Sequence, residues 1–139
     1  MDYDDHHKHS RYLVLSAGLP GFSPRETALV GQMCRYHRKG SPGLGDLEPL
    51  ARKGDGALLA RCCAVLRIAE QLERSRDQAV DAVAVDVRDG TARVELQAHE
   101  DVTIGRWAAQ RQADVFSRAF GLGLEVSEAP GPAPRPVPR

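Results

Sequence analysis

Neither sign of charge dominates this chain, in which 19 Lys and Arg balance 19 Asp and Glu. The field of the whole molecule therefore does not attract a polyanion, DNA is not an expected partner, and any anion site has to come from local clustering. Cysteine is scarce: Cys34, Cys62 and Cys63 have no metal-type spacing. The adjacent pair points to different helix faces, so all three read as reduced core thiols. No run of about 18 apolar residues and no export segment is present, which leaves the cytoplasm as the expected compartment and no membrane partner. The G-x-x-x-x-G-K-[ST] loop, the Rossmann glycine fingerprint and the G-x-S-x-G elbow are missing too, and several enzyme classes go with them. No internal repeat occurs.

What is present is a lopsided first half. Residues 1–76 hold 12 Lys and Arg against 9 Asp and Glu, and residues 77–139 hold 7 against 10. Within the basic half, HHKHSRYLV (His6 to Val14) and RYHRKGSP (Arg35 to Pro42) carry four of the five histidines. Histidine binds a metal when neutral and an anion when protonated. On a helix His6 and His9 share a face at i, i+3 while His7 points about a quarter turn away, so the three are not expected to serve one site. A plain alternative is an exposed polar helix end with Lys8 and Arg11 solvated.

At 139 residues with 42% hydrophobic content the chain suits one domain with a real core. A helix is expected over His6–Ser16, with Tyr12, Leu13 and Leu15 to Ala17 inward. Ser23-Pro24-Arg25-Glu26 reads as a capping box with proline at the first helical position, opening a helix from Pro24 to about Arg38. A short helix is expected over Leu47–Lys53. From Asp55 to about Asp77 the apolar residues Leu58, Leu59, Cys62, Val65, Leu66, Ala69 and Leu72 keep a helical rhythm, which predicts one buried stripe. The period then changes to two: Val83, Val85 and Val87, the turn Asp89-Gly90, then Ala92, Val94 and Leu96 predict a hairpin with one apolar face. A helix over Thr103–Phe120, with Ile104, Trp107, Ala108, Val115 and Ala119 on its stripe, should cover that face, and Leu122 to Val126 offers a third strand. The tail from Ala129 to Arg139, with five prolines, reads as disordered. The fold class is thus α+β: a bundle of three to four helices followed by a small β-β-α-β segment.

Two chemistries are open to the basic turns. Lys8, Arg11, Arg35, His37, Arg38 and Lys39 suit phosphate oxygens, arginine as a fork and lysine as a point charge; the alternative is two solvated turns, with Arg38 and Lys39 placed by the helix dipole. A metal-dependent reading would draw on His6, His7, His37 and Glu70 or Glu73 with Mg²⁺ or Mn²⁺. Glu70 and Glu73 read more readily as solvated partners of Arg67, Arg74 and Arg76, and no His-Asp dipeptide occurs; Asp4-Asp5-His6 has the reverse order, so an intact metal centre is not expected.

Taken in order, HHKHSRYLVLSAGLPGFSPRETALV, RYHRKGSP and LRIAEQLERSRD closely resemble the C-terminal HD-like domain of the exopolyphosphatase and guanosine pentaphosphate phosphatase family, the Ppx/GppA phosphatases, over roughly residues 2–127. The resemblance implies an HD-like domain over residues 1–127 that lacks its first helices, followed by the tail 128–139. It also implies a hydrolase family acting on phosphoric anhydrides, with Mg²⁺ held by upstream actin-like domains, long polyphosphate gripped in part by the C-terminal helices, and dimer contacts there. Relatives carry a His-Asp or His-Glu helix before HHKHS and read like LRIADALDRSH, where this chain has Glu70, Glu73 and Arg76. The expectation is therefore a module that binds but does not hydrolyse on its own and holds no cofactor. His6, Lys8, His9, Arg11, Arg35, His37, Arg38 and Lys39 would contact polyphosphate or a guanosine polyphosphate, and a second copy or the upstream phosphatase domains would be the protein partner. The two basic turns are expected to line one electropositive groove. A purely structural dimerisation module is the remaining option.

Overall fold

A computed structural model describes residues 6–131. The Asp4-Asp5 start and residues 132–139 of the proline-rich tail lie outside the described residues. The order is α1 (His6–Ala17), α2 (Pro24–Arg35), a 3-10 segment (Gly45–Leu50), α3 (Asp55–Glu73), β1 (Val80–Arg88), β2 (Thr91–Ala98), α4 (Thr103–Gln110), α5 (Ala113–Phe120) and β3 (Gly123–Glu128). The class is α+β, with the helical part first.

The capping box forms as expected. Ser23 Oγ accepts from the Glu26 amide at 3.2 Å while the Glu26 carboxylate accepts from the Ser23 amide at 3.0 Å, satisfying two donors left over at the helix start. Gly31 lets α1 lie close on α2, because a Cβ there would meet Leu15 Cδ2 at 3.3 Å and Arg11 Cγ at 3.4 Å. The α2 helix stops at Arg35 rather than Arg38. The chain beyond is tied into a loop by side chains, as described below, and Gly40 takes a left-handed turn at φ +87°. The expected helix over Leu47–Lys53 is instead a 3-10 turn over Gly45–Leu50; Pro49 lies inside it and removes a helical donor. Leu47 in this turn is fully buried.

Sheet order is β1-β2-β3. Asp89 and Gly90, at φ +52° and +71°, make the two-residue turn that the sequence signals, and β1 and β2 pair antiparallel with Val85 opposite Val94. Strand β3 runs parallel to β2, Val94 opposite Val126, a connection that needs a crossover; α4 and α5 supply it. The single helix expected over Thr103–Phe120 is therefore two, broken at Arg111–Gln112. The Gln110 amide on that corner binds the outer edge of β3, donating to the Leu124 carbonyl and accepting from the Val126 amide, both at 2.8 Å.

The core gathers Ile68, Ala79, Ala92, Val94, Leu96, Val102, Ala109, Phe116, Leu124 and Val126. It covers β2 and β3 and reaches only the start of β1, where Val80 packs against it. Val83, Val85 and Val87 share a face with buried Leu96, Val94 and Ala92 yet stay 49%, 63% and 55% exposed, because α3 meets only the start of the edge strand, around Val80 to Val83. Other apolar stripes are rotated from expectation. Tyr12, Leu13, Leu15, Leu58, Val65, Ile104 and Trp107 are exposed, and α3 buries Leu59, Cys63, Ala64, Arg67 and Ile68. These helices carry apolar residues around much of their circumference, so the neighbours, rather than the period, choose the buried face. The cysteines are free, and burial pushes the Cys63 thiol up to about 11.

Candidate anion-binding site

The start of α1 and the loop after α2 meet because the two helices form an antiparallel hairpin. His6 Nε2 lies 3.3 Å from His37 Nε2, and the two rings meet edge-on, centroids 5.1 Å apart. His37 Nδ1 bonds the Cys34 carbonyl. A carbonyl only accepts, so that nitrogen carries the proton and, in a neutral ring, leaves Nε2 as an acceptor. His6 Nε2–H is then the donor of the pair. Beside these rings a shallow basin of about 230 Å³ is lined by His6, His7, Arg38 and Lys39.

The shape of the loop is set from α3. Arg67, 6% exposed, donates Nε to the Tyr36 carbonyl at 2.8 Å and Nη2 to the Gly40 carbonyl. One guanidinium thus grips both ends of the segment that holds His37, Arg38 and Lys39. Burial lowers the Arg67 pKa from its usual value, as expected for a charge removed from water. From α2, the buried Gln32 amide donates to the Gly43 carbonyl at 2.6 Å. At the other end of the bundle, Arg25 forms a two-pronged ion pair with Asp55, and the Arg52 amide donates to the same carboxylate at 2.8 Å. The Arg25 bond first, and the Arg52 amide second, hold Asp55 down at about 2. This pair locks the start of α2 to the start of α3.

Of the residues expected to contact phosphate, the fold brings His6, His37, Arg38 and Lys39 together. His7, which helical spacing separates from His6 and His9, is the buried histidine of α1 and joins the basin lining in place of His9. His9 is half-buried and Lys8 exposed on α1 outside that lining. Arg11 lays its stem across Gly31, and Arg35 sits over the Tyr36 ring, 5.4 Å from its centroid. Arg67 was not anticipated; its signal is a charge in the middle of the run Leu66-Arg67-Ile68, on what becomes the buried face.

Of the residues of the metal reading, His6, His7 and His37 lie together, but the glutamates do not join them. Glu70 accepts from Gln71 at 3.3 Å, Glu73 lines a different surface between α3 and β1, and neither borders the histidine basin. Among the described residues no group of three or more His, Cys, Asp or Glu is arranged to hold a metal ion. Mg²⁺ asks for oxygen ligands, whereas the basin offers imidazole nitrogens beside two cations, so its lining does not fit that ion. Among the described residues no helix is long and apolar enough to cross a membrane.

A family model described as Ppx/GppA phosphatase, domain III, matches residues 1–110. The matched stretch takes in the helical bundle, the hairpin and α4, ending at Gln110. The chain belongs to the Ppx/GppA phosphatase family.

Proposed function

We propose that this member of the Ppx/GppA phosphatases is a binding module that holds phosphate oxygens of inorganic polyphosphate or a guanosine polyphosphate at the α1–α2 basin. His6, His7, Arg38 and Lys39, which line the basin, make the primary contacts, with His37 beside His6, and Lys8, His9, Arg11 and Arg35 extend a basic surface along the same hairpin. The observation that carries this reading is the convergence of two imidazoles, one guanidinium and one ammonium from segments about thirty residues apart on a single basin. A phosphate placed there accepts from Arg38 and Lys39, and from imidazole N–H groups in their protonated form. The reading assigns binding to this chain, not hydrolysis.

Calorimetric titration with tripolyphosphate at two salt concentrations tests it. Binding should be measurable at about 50 mM salt and weaken steeply by about 200 mM, since several exposed charges are screened together. Replacing Arg38 and Lys39 together by alanine should cost roughly tenfold in affinity, about 1.4 kcal/mol. No binding at the lower salt removes the proposal.

A second reading, self-association, is favoured by the bare edge of the sheet. Strand β1 ends the sheet with Val83, Val85 and Val87 uncovered, whereas the β3 edge is closed by Gln110. Antiparallel pairing of β1 with β1 of a second copy would join the two sheets and bring the six valines onto one face. Light scattering across concentration checks it, with a monomer at all concentrations as the contrary result.

A further inference from the structure

Arg67 carries a charge that the bundle does not neutralise. The side chain is almost wholly withdrawn from solvent. It forms no ion pair with a carboxylate among the described residues; its only partners there are the carbonyls of Tyr36 and Gly40. The dipole of α2 ends near Tyr36 and offers about half a negative charge, which does not match a full positive one. A buried charge in this state is costly unless something completes it.

The space in front of it is also cationic. Arg67 borders a cavity of about 410 Å³ whose other lining residues are Gly40, Ser41, Pro42, Ala60, Val115, Arg118 and Ala119. None of these is acidic. Arg118, on α5, is the second charged residue, and it disfavours the charge on Arg67 rather than balancing it. Its own Nε makes a bond within α5, to the Asp114 carbonyl at 3.3 Å. Here Arg67 Nη1 donates to none of the described residues, and Arg67 borders a cavity that Arg118 and Ser41 border as well.

We propose that this cavity is a second anion site, distinct from the histidine basin, that takes a single tetrahedral phosphoryl group between Arg67 Nη1 and Arg118, with Ser41 as a further donor. The loop after α2 serves both sites: Arg38 and Lys39 feed the first, and Gly40, Ser41 and Pro42 wall the second. A phosphoryl oxygen here gives Arg67 the counter-charge that its surroundings withhold. The proposal stands on its own lining residues and does not require the first site to bind.

The test is a titration of the intact chain with inorganic phosphate at constant ionic strength, read from backbone amide resonances. One group of reporters is Gly40, Ser41, Ala60, Arg67 and Ala119; the other is His6, His7, Arg38 and Lys39. The first group should shift saturably in the wild type. Arg118→Gln alters an exposed side chain whose described bond lies within its own helix, so the fold should persist. It should weaken binding at the first group about fivefold and leave the second group's midpoint in place. A first group that does not respond, or responds with the same midpoint in Arg118→Gln, overturns the proposal. So does a response of the first group that disappears in the Arg38→Ala, Lys39→Ala double variant, since it would then be an echo of the basin. A first group that titrates beside a silent second group supports this site and counts against the basin alone.

Discussion

Replacing Arg67 by methionine isolates the part of the architecture on which the basin depends. Methionine retains an unbranched stem of similar reach and removes the guanidinium. The wild-type side chain donates to the Tyr36 and Gly40 carbonyls, and hydrogen bonds from a charged donor contribute about 1.5–3 kcal/mol each. Against their loss stands relief from holding a desolvated charge without a carboxylate, itself a few kcal/mol. The loop is only half-buried, so water can reach part of what the guanidinium releases. The net expectation is a destabilisation of about 1–3 kcal/mol, a fall in Tm of roughly 3–5 °C for each kcal/mol in a domain of this size. Thermal and urea unfolding followed by circular dichroism measure it. The same variant should bind tripolyphosphate about tenfold more weakly at the histidine basin, although Arg67 does not line it, because the segment bearing His37, Arg38 and Lys39 loses its grip on α3. A variant as stable as the wild type with unchanged affinity would refute the idea that this guanidinium shapes the loop.

Three further outcomes follow from the packing. At Gly45, φ is +50° and an added Cβ would lie 2.5 Å from Gln32 Nε2, so Gly45→Ala should destabilise by about 1–3 kcal/mol through left-handed strain and displacement of the Gln32–Gly43 bond; urea midpoints check this, and Gly54→Ala, where a Cβ meets nothing within 4 Å, should show the strain alone. Because Asp55 is held at about 2 in the folded chain and near 3.9 when unfolded, its contribution is complete above the unfolded value and is lost as pH falls toward 2; the acid limb of stability against pH should be shallower in Asp55→Asn, and parallel limbs would contradict the ion pair's role. Val85→Lys puts a charge at the centre of the uncovered face of β1 and should shift any concentration-dependent association toward monomer in light scattering with little change in Tm, since Val85 is 63% exposed.

Local chemistry was the legible part of this molecule. Ser23 to Glu26 and Asp89-Gly90 specify their structures through bonds and dihedrals among neighbouring residues, so no distant partner can alter them. The histidine and arginine clusters were legible as types, and the meeting of His6 with His37 follows once α1 and α2 form a hairpin. The faces of the helices were not legible. Leu58 and Val65 fit the apolar stripe of α3 as well as Leu59 and Ile68 do, and only the positions of α2, α4 and α5 decide among them. The break at Arg111–Gln112 carries no glycine or proline; it is imposed by the need to return the chain parallel to β2. Arg67 stayed hidden for a related reason. A lone arginine in an apolar helix reads as a solvated charge until the fold reveals that two carbonyls from a loop about thirty residues earlier meet it.

The most direct test of the central claim is to follow the imidazole nitrogens of His6 and His37 by long-range ¹H–¹⁵N correlation during a tripolyphosphate titration. Phosphate held in the α1–α2 basin predicts saturable shifts of both Nε2 resonances, with a midpoint equal to the calorimetric dissociation constant. Binding measured by calorimetry while both rings stay unchanged would place the anion elsewhere and contradict the account.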